Sequence, residues 1–541
     1  MKLLETGRFR TVILLLLCGA FLTMTVPFAF RAPYGGERNG YTSGMIRIFC
    51  QEPGRFFLKG PQVMLGARPF NYELPLFEWM QGHVARALSG GDKECPAVEP
   101  VAKIFSIFWA VIAILAVAWV AQLMFQSHLA SLIAAGLLTV DHMWLEYSTY
   151  TMIETRTIAL LLLAMGVSLS RDKWRRVPRG VAPAVAATLW GLAFMQKPQF
   201  WLFFVALWLA FEALHYKKKR SDAILAIGII LSTSVGLAYY YFVGQMNTAS
   251  DLPWVQWMGP RTHGWYFGHW EDRFTFSFWK SLTQNWFKRS GLYFALVVAL
   301  LLLMAQGKDR FKQLAKATVQ GSLPLLAATF IYPFVFYHVI VVHEYYAHPY
   351  NVGSALITGG VLALILNAVR GSVPLLIVAG LLVFGRIGDQ AHRGLTRMSS
   401  LVDKVKSAEG LWNAQVFPEK NSFVVMACPG NGRDFMHLYM TKQRGFMWCA
   451  ANEEFAPRKF WKESGVQYVA WARHVETATG RITWEVVPIE KELERARAKG
   501  WSSDVKDVWA GRSMTEWAAL GSRTGHETCA DPKDFDPRNW L

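Results

Sequence analysis

Five segments place ionisable or aromatic side chains where apolar runs end. Glu37 and Arg38 lie in GGERNGY, just past a first apolar stretch. A carboxylate there can take the proton of an acceptor hydroxyl or amine; the alternative is a solvated loop acid. Glu73, in NYELPLFEW, precedes Pro75 at an expected helix start, where the helix dipole favours an acid. Glu154, in TMIETRT, opens another apolar run with Arg156 two residues on, so the two either pair or serve a ligand. Lys197, in MQKPQFW, interrupts a long apolar stretch beside Pro198. It either snorkels to the membrane interface or holds a phosphate.

The fifth segment, VVHEYYAHPYN, gathers His343, Glu344, Tyr345, Tyr346 and His348. His343 and His348 flank Glu344, but this spacing across a proline-bounded turn is not a recognised zinc arrangement, and no metal is expected. No serine triad, HExxH, P-loop or haem-attachment motif occurs, which removes support from the familiar hydrolase, metalloprotease and ATPase readings. Ionisable residues at the ends of membrane helices are costly, and for that reason they are functional candidates.

The elements that must position these residues are membrane helices. Of 541 residues, 53% are apolar and only 18% charged, well short of the charge of a soluble protein. The apolar residues fall into runs near 11–30, 101–125, 128–147, 153–170, 180–197, 200–216, 222–243, 290–305, 318–341, 350–368 and 372–389. The first run is long enough to cross ~30 Å of hydrocarbon and has no small-residue cleavage site, so it reads as a retained helix. The fold class expected is mainly α: a polytopic membrane protein of about eleven transmembrane helices with a small C-terminal α/β domain.

The net charge of +17 supports that count. Its basic clusters (Arg8 and Arg10; Arg171 to Arg179; Lys217 to Arg220; Lys308 to Lys316; Arg370) all fall on one side of an eleven-span chain, as the positive-inside rule requires. Nucleic acid is therefore not an expected partner; membrane lipids are. The expected location is the inner (plasma) membrane, with the N-terminus cytoplasmic and the tail extracytoplasmic. The expected domains are residues 1–390, with outer loops at about 31–100 and 244–289, and a soluble tail, 391–541.

The first outer loop carries an amphipathic stretch from Leu76 to Ala87 suited to the membrane interface. The second crowds Trp254, Trp257, Trp265, Phe267, Trp270, Phe274, Phe276, Phe278 and Trp279 together, as an aromatic belt or as a platform for sugar or lipid. In the tail, Ser422 to Cys428 and Val466 to Ala472 read as buried strands, with helices expected over Asp434–Arg444 and Pro457–Ser464. In an oxidising compartment Cys50 and Cys95 are the first candidates for a disulfide and Cys428 with Cys449 the second, while Cys18 packs within a helix.

Taken in order, these segments resemble the GT-C superfamily of membrane glycosyltransferases, in the branch of protein O-mannosyltransferases and lipid A aminoarabinose transferases. The resemblance rests on an outer acid after the first helix (Glu37), E-x-P-L-aromatic (Glu73, Pro75, Leu76, Phe77), an acid opening the fourth span (Glu154), G-L-A-x-x-x-K-P (Gly191 to Pro198) and H-x-Y-Y-x-x-P (His343, Tyr345, Tyr346, Pro349). It departs from the family in having Glu37-Arg38 where members usually carry Asp. The resemblance implies a polyprenyl-phosphate-linked sugar donor, a lipid, glycan or protein acceptor, inversion at the anomeric carbon and no cofactor. By the same resemblance Glu37 is the acceptor base, Glu73 and Glu154 are supporting carboxylates, and Arg38, Lys197, His343, Tyr345 and Tyr346 lie near the donor. A flippase of a lipid-linked sugar would show paired broken repeats, and none is evident; a polysaccharide polymerase or ligase is the other alternative.

Overall fold

The computed structural model describes residues 7–30, 36–54, 73–174, 177–178, 180–214, 222–248, 267, 270–276, 278–280, 323–336, 340, 344–368, 373–409, 423–427, 444–448, 458–463, 465–475 and 482–501. The chain divides into two units. The first comprises 1–29, 105–240 and 266–399, and the second 30–104, 241–265 and 400–541.

The first unit is helical because its apolar runs exceed the length of a strand and must satisfy their own backbone groups in hydrocarbon. Five helices are long and apolar enough to cross a membrane, four of them being α1 (Gly7–Ala29), α4 (Val98–Phe125), α7 (Ile153–Ser170) and α10 (Asp222–Thr248). The fifth, Tyr345–Asn367, comprises nearly all of α12 (His348–Ala368) and the turn before it. Shorter apolar helices are α8 (Val181–Gln196), α9 (Pro198–Leu214) and α11 (Leu323–Val335). α7 and α12 are largely buried, whereas α1 and α10 leave residues such as Leu15, Leu16, Ile230 and Leu231 open, as suits contact with lipid.

The run read as one span over 128–147 is broken. α5 (His128–Val140) and α6 (His142–Ser148) meet at 63°. Asp141 sits at the break in an extended conformation, and its side chain accepts a hydrogen bond from Trp144 N at 2.8 Å, capping α6. It also accepts one from Asn351 Nδ2 of α12 at 3.2 Å. Lower down, α5 and α12 touch backbone to backbone: a Cβ on Gly359 would lie 2.7 Å from Ala134 N. Small residues are what permit such an approach between membrane helices. The run at 290–305 lies outside the described residues. The last run is the start of a single 37-residue helix, α13 (Val373–Glu409), which continues through the expected domain boundary at 390.

The second unit contains α2 (Gly36–Gln51) and α3 (Leu76–Leu88), and a disulfide ties Cys50 of α2 to Cys95 in the turns that follow α3. Arg86 Nη1 donates to Cys50 O at 2.9 Å, and a Cβ on Gly82 would lie 2.4 Å from Phe49 Cβ, so the two helices are in close contact. α3 is amphipathic as expected: Phe77, Gln81 and Ala85 are buried while Met80, Val84 and Leu88 are exposed at four-residue spacing.

The tail forms a four-stranded sheet in the order β2-β1-β3-β4, with β1 Phe423–Ala427, β2 Arg444–Trp448, β3 Tyr468–Val475 and β4 Ile482–Pro488. β1 pairs in parallel with β2 and β3, and β4 is antiparallel to β3. α14 (Arg458–Glu463) and α15 (Ile489–Ala498) supply Trp461, Ile489 and Leu493 to a core shared with Val425, Val469 and Trp471. Two expected strands and the helix ending at Ser464 are present. Arg444, however, begins a strand rather than ending a helix, and β4 was not foreseen. Residues 434–443, Cys428 and Cys449 lie outside the described residues.

Candidate functional site

Three helix ends and one turn of the first unit converge on Lys197. α8 ends at Gln196, and Lys197 takes an extended conformation as the C-cap residue before Pro198 starts α9. The proline cannot continue the ladder of α8, so the chain turns here and the lysine leaves the helix axis. Its ammonium is 2% exposed and forms an ion pair with the Glu154 carboxylate, itself fully buried in the first turn of α7. Arg156, the near neighbour, also reaches across helices: its Nε donates to Gln196 Oε1 at 2.9 Å. Lys197 is thus buried in a long-range pair with Glu154.

Three rings surround the ammonium. Lys197 Nζ lies 4.5 Å from the centroid of Tyr346, 5.0 Å from Tyr345 and 5.4 Å from Phe200, all within cation–π range. Tyr345 and Tyr346 belong to the short turn Glu344–Ala347 that leads into α12. Tyr332 Oη of α11 donates to Tyr346 O at 3.0 Å and so fixes that turn from the other side. The Lys197 ammonium, among ring faces and a carboxylate, sits in a poorly hydrated place, where an anionic ligand would gain most from it.

The remaining expected residues are placed as follows. Glu37 and Arg38 lie in the first turn of α2, their side chains outside the described residues. Glu73 is half-buried, two residues before the Pro75 that caps α3. His343 and the side chain of Glu344 are outside the described residues, so the cluster around His348 is not complete there. His348 itself is buried, its ring 4.6 Å from that of Tyr147.

Two groups were missed. Glu146 of α6 is buried, accepts from Tyr150 Oη at 3.0 Å and forms an ion pair with Arg397 of α13. Burial and the nearby Glu146 carboxylate hold the Tyr150 phenol well above its ordinary pKa. An acid near the end of an apolar run was the available signal. Arg273 is also buried; its guanidinium donates to Phe334 O at 2.6 Å, to Val335 O at 3.2 Å and to Phe267 O. It thereby caps the C-terminus of α11 and lies 4.9 Å from the Trp270 ring. Around it, Phe267 stacks on Phe336 at 5.4 Å and Trp270 meets Phe334 at 5.1 Å, which gives these two aromatic residues a packing role; Phe274 and Phe276 remain exposed. Trp254, Trp257 and Trp265 lie outside the described residues.

The apolar helices of the described residues are those of a multi-pass membrane protein. Comparison of the sequence with protein-family models found no match, and neither did comparison with curated proteins. Solved structures do match. The oligosaccharyltransferase of Archaeoglobus fulgidus in its apo form has a TM-score of 0.56 at 12% identity, over 86% of this chain and 70% of that one. The oligosaccharyltransferase AglB of the same organism, in complex with an inhibitory peptide and a dolichol-phosphate, has a TM-score of 0.53 at 12% identity, over 86% and 69%. ArnT from Cupriavidus metallidurans bound to undecaprenyl phosphate has 0.51 at 12% identity, over 84% and 92%. The chain therefore shares the fold of these solved structures.

Proposed function

We propose that this protein is an integral-membrane glycosyltransferase that moves a sugar from a polyprenyl-phosphate donor to a lipid, glycan or protein acceptor at the extracytoplasmic face. The observation that carries the reading is the buried Glu154–Lys197 pair ringed by Phe200, Tyr345 and Tyr346. Two fold neighbours are complexes with dolichol-phosphate and undecaprenyl phosphate, ligands whose phosphate is the anion such a lysine would hold.

In the reaction, an acceptor oxygen or nitrogen attacks the anomeric carbon as the bond from that carbon to the phosphate oxygen breaks. The electron pair stays on the lipid phosphate, and configuration inverts. That leaving group is already stable, so the protein needs a base for the acceptor proton and cations for the departing charge. Glu37 is the base, Glu73 and Glu154 support it, and Lys197 receives the phosphate, assisted by Arg38, His343, Tyr345 and Tyr346. Neither a metal nor a cofactor takes part.

The test is to incubate purified protein in detergent with radiolabelled polyprenyl-phosphate sugars and membrane extract, beside Lys197→Ala. Wild type should release free lipid phosphate and label an acceptor, and Lys197→Ala should bind donor about 30-fold or more weakly, the cost of removing one member of a buried charge pair. Unchanged donor affinity in Lys197→Ala removes the phosphate role. Saturable donor binding without transfer to any fraction of the extract favours a carrier of the same lipid.

A further inference from the structure

The long helix α13 is docked on α6 through a stripe at helical spacing. Gln390 Oε1 lies 3.3 Å from His142 Nδ1; a Cβ on Gly394 would come 2.6 Å from Leu145 Cδ1; and Arg397 Nε forms an ion pair with Glu146 Oε2. Positions 390, 394 and 397 share one face of a helix, as do 142, 145 and 146 on the short helix opposite. The other oxygen of Glu146 accepts from Tyr150 Oη at 3.0 Å, and Thr149 Oγ1 donates to Glu146 O at 2.6 Å. Tyr150 is tied in turn by its carbonyl, which accepts from Ser106 Oγ at 2.6 Å. The whole turn from Ser148 to Met152 is buried, and it leads directly into Glu154.

A second line runs from the same short helix to the lysine. Tyr147, beside Glu146, sets its ring against His348 at 4.6 Å and Tyr345 at 6.5 Å. Tyr345 is one of the rings around Lys197. Glu146 thus stands at the root of both partners of the buried pair: Glu154 through the backbone turn, and the ring cage of Lys197 through Tyr147.

We propose that Glu146, held by Arg397 and Tyr150, is a positioning residue for the Glu154–Lys197 site. This rests on the functional reading above. Glu146 reaches no reacting atom; it fixes the turn that aims Glu154 and the ring that orders Tyr345. A buried carboxylate engaged by a guanidinium and a phenol specifies one geometry, whereas an apolar side chain there would leave α6 free to rotate on α13.

The test measures donor affinity, with undecaprenyl phosphate as the probe, and transfer rate in wild type, Glu146→Gln, Glu146→Arg, Arg397→Glu and the exchanged double variant Glu146→Arg/Arg397→Glu. Misplaced groups cost rate more than binding, so each single variant should lose transfer by about 10²-fold, while donor affinity, which depends on the loosened ring cage of Lys197 but keeps the lysine itself, should fall by no more than about tenfold. The double variant should recover at least about tenfold, since coupling is the mark of a direct pair. Tyr150→Phe, which removes one hydroxyl and is expected to fold, should show a smaller loss of the same kind. Transfer within about twofold of wild type in Glu146→Gln and Tyr150→Phe overturns the role, as does a folded double variant no better than its parents. Loss of donor affinity parallel to loss of transfer also overturns it. A wild type that binds no undecaprenyl phosphate sinks the functional reading itself, and this role with it.

Discussion

Glu154 and Lys197, 43 residues apart in sequence, form an ion pair from which water is almost completely excluded. Breaking such a pair by removing one member costs about 3–5 kcal/mol, because the other charge is left buried alone. Glu154→Gln should therefore lower the thermal stability of the ligand-free protein in detergent. If Lys197 is the phosphate anchor, undecaprenyl phosphate supplies the missing anion and restores much of that loss by binding the folded state. Melting curves with and without the lipid decide it: stabilisation of the variant no greater than that of wild type places the phosphate elsewhere.

Glu37→Gln should leave expression, folding and donor binding as in wild type and reduce transfer by about 10²- to 10⁴-fold, the usual worth of a positioned base. The measurement is single-turnover transfer with saturating donor. Retained turnover would reassign the base to Glu73 or Glu154, and the same assay on Glu73→Gln and Glu154→Gln would tell which.

Cys95→Ser opens the covalent link across 45 residues in the second unit. The loss expected is about 2–4 kcal/mol, read as proteolysis in the segment between α2 and α3 at protease levels that leave the oxidised protein intact. Dithiothreitol on wild type should reproduce it; cleavage at the same rate in both forms would show that Arg86 and the packing at Gly82 suffice without the bond.

Gly359 faces Ala134 at a backbone distance that leaves no room for a side chain. Gly359→Val must push α5 and α12 apart, at a cost of about 1–3 kcal/mol for overpacking. Since α5 leads to Asp141 and α12 begins beside Tyr346, donor affinity should fall together with stability. An unaltered melting temperature would mean that the two helices slide rather than separate.

Much of the site was legible because its residues violate their surroundings. A lysine beside a proline inside a long apolar stretch, and an acid opening a membrane helix, are conspicuous, and both lie in the buried pair. Their pairing was not legible. Arg156 is closer to Glu154 in sequence, yet Lys197, 43 residues away, comes to the Glu154 carboxylate, and Arg156 Nε reaches Gln196. Glu146 was passed over because its partner, Arg397, lies far along the chain in a helix whose last turns read as tail. The break at Asp141 was hidden for a different reason: the apolar run is continuous on either side, and only the capping geometry, a carboxylate three residues before Trp144, marks a new helix. In the sheet, β2 was obscured by Arg444 and Gly445, which carry none of the apolar character of a buried strand.

The sulfur link between Cys50 and Cys95 sets an order of events for making this protein. With the extracytoplasmic placement of the proposed function, neither thiol is oxidised while the nascent segment is still in a reducing cytosol, so delivery of both cysteines across the membrane would precede formation of the Cys50–Cys95 bond. Maturation would then include a redox step performed outside the cytosol rather than by the chain. Under the same proposal, cells deprived of thiol oxidants would accumulate full-length, inserted protein in which α2 is never tied to the turn after α3.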